Sequence, residues 1–300
     1  MVHGTYKIGI DLGGTKTEAI LFGPDEKVLY RHRVPTPRGG DLEYEGIVDT
    51  VYRQIQTTTE QVRGRTYTIG IGIPGTLDPR TETVQNANTT CLSGRSFKKD
   101  VENRIGRRVG MENDANCFTL AEAVQGAAQG YHLVFGIILG TGCGGGICID
   151  GKVHHGIHMI AGEWGHFSVD PKGTRCWCGN RGCIETKLSG TGVSNSYYQE
   201  YKERLSLQEI THRHRLGDEK CRRIFNRFLD DFGRCVGGIV STLDPDAIVI
   251  GGGASNIEEL YSKGVEKVRR YAFHRKMQTP ILKHQLGDSA GVYGAAWIGV

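Results

Sequence analysis

No stretch of the sequence offers the ~20 uninterrupted apolar residues of a membrane-spanning helix, and no apolar signal core precedes the first strand-like run at Tyr6. Neither sign of charge dominates: 37 Lys and Arg stand against 33 Asp and Glu, a net charge of +4, and the two signs are interleaved along the chain. That argues against a nucleic-acid partner, which asks for a basic stripe. The densest basic runs, Arg31-His32-Arg33 and His212-Arg213-His214-Arg215, read as solvated surface. No Walker loop is present, because the Gly-Lys-Ser/Thr ending is missing, and no G-x-G-x-x-G opens a helix as a dinucleotide fingerprint does. The 9 cysteines, odd in number and mostly single within apolar surroundings, fit a reducing compartment, and a cytoplasmic protein is predicted.

Glycine is what the chain has in abundance, 44 in 300 residues, enough for many tight turns and close backbone approaches. The length suits two α/β domains. Strand-like runs at Tyr6 to Ile10, Thr17 to Phe22 and Val28 to Val34 form a meander, followed by a helix-spaced segment from Asp41 to Val62 and an apolar strand from Tyr67 to Ile73. Thr83 to Thr90 is polar and amide-rich and reads as a surface loop. A helix from Ser96 to Arg107, a short strand from Arg108 to Glu112 and a helix from Ala115 to Gln125 come next, with Asp114 in the position of its N-cap. The same position, at the C-terminal end of a strand, is where α/β proteins place ligands.

Two glycine turns join consecutive strands. The first is Asp11-Leu12-Gly13-Gly14-Thr15-Lys16, and the second runs from Gly140-Thr141-Gly142 through Gly146 between the strands Leu133 to Leu139 and Ile147 to Asp150. Backbone N–H groups in such turns can face an anion, and their recurrence suggests a duplicated α/β unit with phosphate-binding capacity in each half. Later, helices are predicted over Thr186 to Tyr201 and Cys221 to Leu243, then a strand from Ala247 to Ile250. That strand enters Gly251-Gly252-Gly253 and a helix from Asn256 to Tyr271, a third anion or nucleotide-base platform. A last helix runs through Trp297.

The segment from Glu163 to Glu185 is the densest in chemistry. His166, Cys176, Cys178 and Cys183 have the ligand types and spacing of a tetrahedral zinc site, and Gly179 and Gly182 supply the turns that bring the thiolates together. Separate reduced thiols, or one disulfide and an unpaired thiol, are the alternatives, and Cys-x-Cys is too tight for an easy disulfide. Glu163 and Glu185 flank the arrangement.

Taken in order, Asp11-Leu-Gly-Gly-Thr-Lys16, Glu112-Asn-Asp-Ala-Asn116, Gly140-Thr-Gly142, Glu163-Trp-Gly-His166 and Cys176 to Glu185 resemble the ROK (repressor, open reading frame, kinase) sugar kinases over about residues 6 to 300. Tyr30 to Arg38, Asn86-Ala-Asn88-Thr89 and Gly287 to Gly291 carry a closer likeness to bacterial fructokinases of the manno(fructo)kinase type. The resemblance implies an actin-like (ribonuclease-H-like) α/β fold with two domains around a cleft. Residues 1–113 with a C-terminal helix at 289–300 would form the smaller domain, and residues 114–288 the larger, with a zinc loop at 166–183.

By the same resemblance Asp114 is the catalytic base for ATP-dependent phosphorylation of a hexose at its 6-hydroxyl, fructose or mannose first, with N-acetylglucosamine, another N-acetylhexosamine or glucose as the alternative. Gly75, Asn88, Asn113, Asp114, Glu163, His166 and Glu185 would bind the sugar. Gly13, Gly14, Thr15, Lys16, Gly140, Thr141, Gly142 and Gly251, Gly252 and Gly253 would bind ATP, Asp11 would hold Mg²⁺ through water, and the zinc would be structural. A homodimer is implied. A sugar-responsive repressor of the same family would need a helix-turn-helix ahead of the first strand, where Tyr6 already begins it.

Overall fold

The computed structural model describes residues 4–274 and 276–300. The first sheet is built from β1 (Tyr6–Leu12), β2 (Lys16–Phe22), β3 (Val28–Pro35), β4 (Tyr67–Ile73) and β7 (Gly110–Asn113) in the order β3-β2-β1-β4-β7. A small hairpin, β5 (Thr76–Leu77) with β6 (Val84–Gln85), lies between β4 and β7 in sequence and reaches into the stretch that reads as a surface loop. The second sheet has the order β10-β9-β8-β11-β12, from β8 (Leu133–Leu139), β9 (Cys143–Ile149), β10 (Lys152–Val153), β11 (Ala247–Gly251) and β12 (Ile281–Lys283). In each sheet the first two strands pair antiparallel across a glycine turn, and on the free side of the first of them two later strands add parallel, β4 and β7 in one sheet and β11 and β12 in the other; β3 extends the first sheet antiparallel on β2. The duplication suggested by the two glycine turns is therefore present in the strand order itself.

The chain forms two compact units. One holds the chain up to Ala121, Val153–Ala161 and Asp288–Val300; the other holds Glu122–Lys152 and Gly162–Gly287. The division falls inside the helix α3 (Asp114–Val124), not ahead of it at residue 113. Glu122 supplies a physical reason: its buried carboxylate accepts the N–H groups of Ala127 at 2.8 Å, Leu286 at 2.9 Å and Gln285 at 3.0 Å, fixing the end of α3 within the second unit.

In the first unit, α1 (Glu43–Glu60) presents Ile47, Val48, Val51 and Ile55 to the sheet and joins a core with Ile8, Ile10, Ile69, Ile71, Phe97 and Val101, the last two from α2 (Phe97–Ile105). On the opposite face lies α9 (Ala290–Trp297), with Val292 and Ala296 against Ile20 and Phe22. Gly9, Gly70 and Gly110 stand in register across β1, β4 and β7, and a Cβ on any of them would run into the carbonyl oxygens of Val292, Ala295 or Ile298. Three aligned glycines thus let a helix backbone lie directly on a sheet.

The second unit wraps its sheet with α4 (Glu185–Leu188), α5 (Gly190–Tyr201), α6 (Leu207–Arg215), α7 (Glu219–Leu243) and α8 (Lys263–Tyr271). The face of α7 expected to be apolar, Ile224, Phe228, Phe232, Val236 and Val240, is buried. Gly237 allows the close approach of Tyr271 and Ala272, whereas Gly238 faces open space. Two helical expectations need correction. The helix placed over Thr186 to Tyr201 is two helices, because Ser189 adopts an extended conformation and caps α5 by accepting the Gly192 N–H at 2.9 Å. The helix placed from Asn256 is a pair of short 3₁₀ turns, Gly253–Asn256 and Glu258–Leu260, and α8 begins only at Lys263.

Candidate functional site

In the first unit the β1–β2 turn is held from several directions. Gly13 N–H donates to Lys16 O at 3.0 Å, Thr36 Oγ1 donates to Gly13 O at 2.7 Å, and Thr36 N–H donates to Thr15 O at 3.0 Å. Thr89, from the polar loop, approaches Gly14. Asp11, next to last in β1, lies beside Gly291 in the first turn of α9. Desolvation, with Asp114 and Glu18 adding negative charge, pushes the Asp11 carboxyl up to about 7, against the opposing pull of Lys16 and Arg33. A site that disfavours its own carboxylate charge is suited to accept a cation.

The end of β7 feeds directly into α3, and the residue that caps the helix is Asn113, one position before the Asp114 that the sequence points to. Asn113 Oδ1 accepts the N–H groups of Ala115 at 2.9 Å and Asn116 at 3.3 Å, while its amide donates to Gly75 O at 3.0 Å. Asp114 Oδ1 takes the Ala115 N–H at 2.8 Å. Gly75, at φ 92°, holds a left-handed conformation against Gln85 and Ala87 that only glycine fills without strain. Asn88 lies in the same unit, in the loop after β6.

Glu112, buried, supports this corner: its Oε1 accepts the Asn113 N–H at 2.8 Å and the Asn116 amide at 2.9 Å, and its Oε2 accepts from His155 Nε2. Nothing in the residue order signals that ion pair, because His155 is distant along the chain. The basic run at Arg31 to Arg33 is likewise more than solvated surface. Arg31 and Arg33 both bind Glu18, which is 1% exposed, Arg33 Nε at 3.0 Å.

In the second unit, Glu163 precedes the 3₁₀ turn Trp164–His166, and burial raises its carboxyl above the usual range, with Glu185 adding to the rise and His166 opposing it. Glu185 opens α4. Its Oε2 accepts the Cys143 N–H at 2.9 Å and its Oε1 accepts the Trp177 indole N–H at 2.6 Å. A Cβ at Gly142 would stand 2.8 Å from Glu185 Oε2, so the second glycine turn packs directly on this acid. Gly140 O accepts the Gly190 N–H at 2.8 Å, and Gly252, at φ 78°, lies against Leu139 and Gly140. The turns at Gly140 to Gly142 and Gly251 to Gly253 are thus neighbours, but the second does not sit at the N-terminus of a long helix as expected, since α8 starts 10 residues after Gly253.

The four donors His166 Nδ1 and Cys176, Cys178 and Cys183 Sγ lie within 4.8 Å of one another. Cys176 Sγ is 3.7 Å from His166 Nδ1 and Cys178 Sγ is 3.6 Å from Cys183 Sγ. A tetrahedral ion with bonds of ~2.3 Å to sulfur sets edges of about 3.8 Å, so the donor set fits such an ion, and those sulfurs are too far apart for a disulfide. With Nδ1 turned to the cluster, His166 Nε2 points elsewhere.

Two sheets of one topology, each with a glycine turn between its first antiparallel strands, define an actin-like ATPase fold. The ROK family profile matches residues 7–299, and the chain belongs to the ROK family. It is 38% identical to an N-acetyl-D-glucosamine kinase of Photobacterium profundum, over 97% of this chain and 98% of that protein. Among solved structures it resembles a ROK hexokinase from Thermus thermophilus, with 31% identity, TM-score 0.88 and 98% of both chains covered. It also resembles a ROK glucokinase from Streptomyces griseus in complex with glucose and AMPPNP, with 31% identity, TM-score 0.79, and 98% of this chain and 99% of that one covered.

Proposed function

We propose that the protein transfers the γ-phosphoryl group of ATP to the 6-hydroxyl of N-acetyl-D-glucosamine. The observation that carries the substrate is the likeness, along nearly the whole chain, to a kinase of that sugar. It favours the second of the two sugar readings drawn from the sequence over fructose. The residues support the reaction class: a carboxylate at a strand end beside a glycine turn in one unit, and two carboxylates and an imidazole beside a glycine turn in the other.

In this reading Asp114 accepts the proton of the 6-hydroxyl as its oxygen attacks the γ-phosphorus. Asn113, fixed by its caps and by Gly75 O, orients a neighbouring hydroxyl, as does Asn88. Glu163, His166 Nε2 and Glu185 bind the other hydroxyls, for which carboxylates and an imidazole provide directed acceptors and donors. Backbone N–H groups of Gly14 and Thr15, and of Thr141 and Gly142, hold phosphate oxygens in turns that the Gly13 and Gly140 N–H groups close on Lys16 O and Gly142 O, with Lys16 adding positive charge nearby and Gly251 to Gly253 shaping the adenosine end.

Mg²⁺ arriving with ATP would neutralise phosphate charge and meet Asp11 through water, which would lower the carboxyl back into its ionised form. Zinc on His166, Cys176, Cys178 and Cys183 would be structural, since four protein donors leave no position for substrate. An ADP-release assay across N-acetylglucosamine, N-acetylmannosamine, glucose, mannose and fructose tests the reading. The highest kcat/KM is expected for N-acetylglucosamine, and a lead of tenfold or more for fructose would overturn it.

A further inference from the structure

We propose that Trp177 is a positioning residue for the hexose site, holding Glu185 and His166 in the orientation in which they meet sugar hydroxyls. This rests on the reading that Glu185 and His166 bind the sugar. Trp177 is 65% exposed, so it contributes little to the core, yet both of its directed contacts go to those two side chains. Its indole N–H donates to Glu185 Oε1 at 2.6 Å, and its ring meets that of His166 edge to face, centroids 4.8 Å apart at 88°.

The other Glu185 oxygen is held by the Cys143 N–H at 2.9 Å. With one N–H donor on each oxygen the carboxylate is fixed in plane and direction, and each oxygen keeps a second lone pair for a sugar hydroxyl. Removing the indole N–H leaves Oε1 without its donor and returns rotational freedom to the side chain, a freedom that sugar binding must then remove. The backbone of Trp177 lies between Cys176 and Cys178, so a closed metal cluster would fix that backbone on both sides, leaving the contacts to Glu185 and His166 to set the indole.

Trp177→Phe keeps an aromatic ring at this position and deletes the donor. The variant is expected to weaken N-acetylglucosamine binding by calorimetry roughly tenfold and to raise KM by the same factor, with kcat changed less than about threefold, since a lost bond to a charged group is of that order. Zinc content and melting temperature are expected to match the parent. In a Glu185→Ala background, itself weak in sugar binding, the same substitution is expected to add nothing, the signature of two side chains acting through one contact.

Unchanged sugar affinity in Trp177→Phe would overturn the proposal, as would an equal tenfold loss with and without Glu185. Loss of zinc or of thermal stability in Trp177→Phe would assign the indole to folding of the metal loop and also overturn it. Glu185→Ala binding sugar as tightly as the parent would instead refute the underlying reading, a failure visible without any change at Trp177.

Discussion

Asp114 stands where β7 becomes α3, and Asn113 caps the helix from one position before it, while Asp114 Oδ1 also takes the Ala115 N–H. Asparagine at this position keeps a side-chain oxygen for that N–H and removes only the basic carboxylate, so the proposed role can be tested with the helix start kept. Asp114→Asn is expected to lower kcat by roughly 10²–10⁴ while sugar affinity stays within a few-fold and the melting temperature holds; turnover within tenfold of the parent would remove Asp114 as the base. Close by in the same unit, the Glu112 hydrogen bond raises the His155 imidazole above its usual range. The protonated form is thus favoured by folding, so its contribution is complete below about pH 6.5 and fades as pH climbs through the raised value. Because His155 is partly exposed, the effect is expected to be under about 1 kcal/mol. Urea unfolding at pH 6 and pH 8.5 should show a larger loss in the parent than in His155→Gln, and equal losses would rule the contribution out.

Much at the level of elements could be read from residue order. The two glycine turns, the apolar face of α7 and the His-Cys₃ spacing are local patterns, and local patterns survive in a one-dimensional string. Ser189 shows the limit: it sits inside a segment that reads as continuous helix, and only the geometry of its bond to Gly192 reveals a break. The α6 helix is masked by its charge, since the side chains of Arg213 and Arg215 reach off the helix to pair with Glu203 and Glu259. The contacts that set the candidate sites, Trp177 to Glu185 and Glu112 to His155, join residues whose types are ordinary where they stand. Likewise the glycines of β1, β4 and β7 are visible singly, but their alignment under α9 exists only once the strands pair. Gly70→Ala is expected to cost about 3 kcal/mol or more, because the added methyl meets the Ala295 carbonyl and α9 must lift. An unfolding midpoint unchanged from the parent would contradict that packing.

At the scale of the chain, the His166, Cys176, Cys178 and Cys183 cluster belongs to one unit alone. Chelation is expected to release one zinc per chain and to lower the melting of the second unit, since binding energy at a structural metal site is folding energy. Calorimetry before and after chelation should show one transition displaced and the other in place; no released zinc would refute the site. Among the described residues no helix is long and apolar enough to cross a membrane. The first unit holds the earliest strands of the chain and also its last helix, α9, which covers the glycines of β1, β4 and β7. On the ribosome those strands must wait, one face bare, while the whole second unit is made. Synthesis order and completion order are thus reversed: the second unit has all its residues first, and the part of the protein that begins to form earliest is the last to be closed.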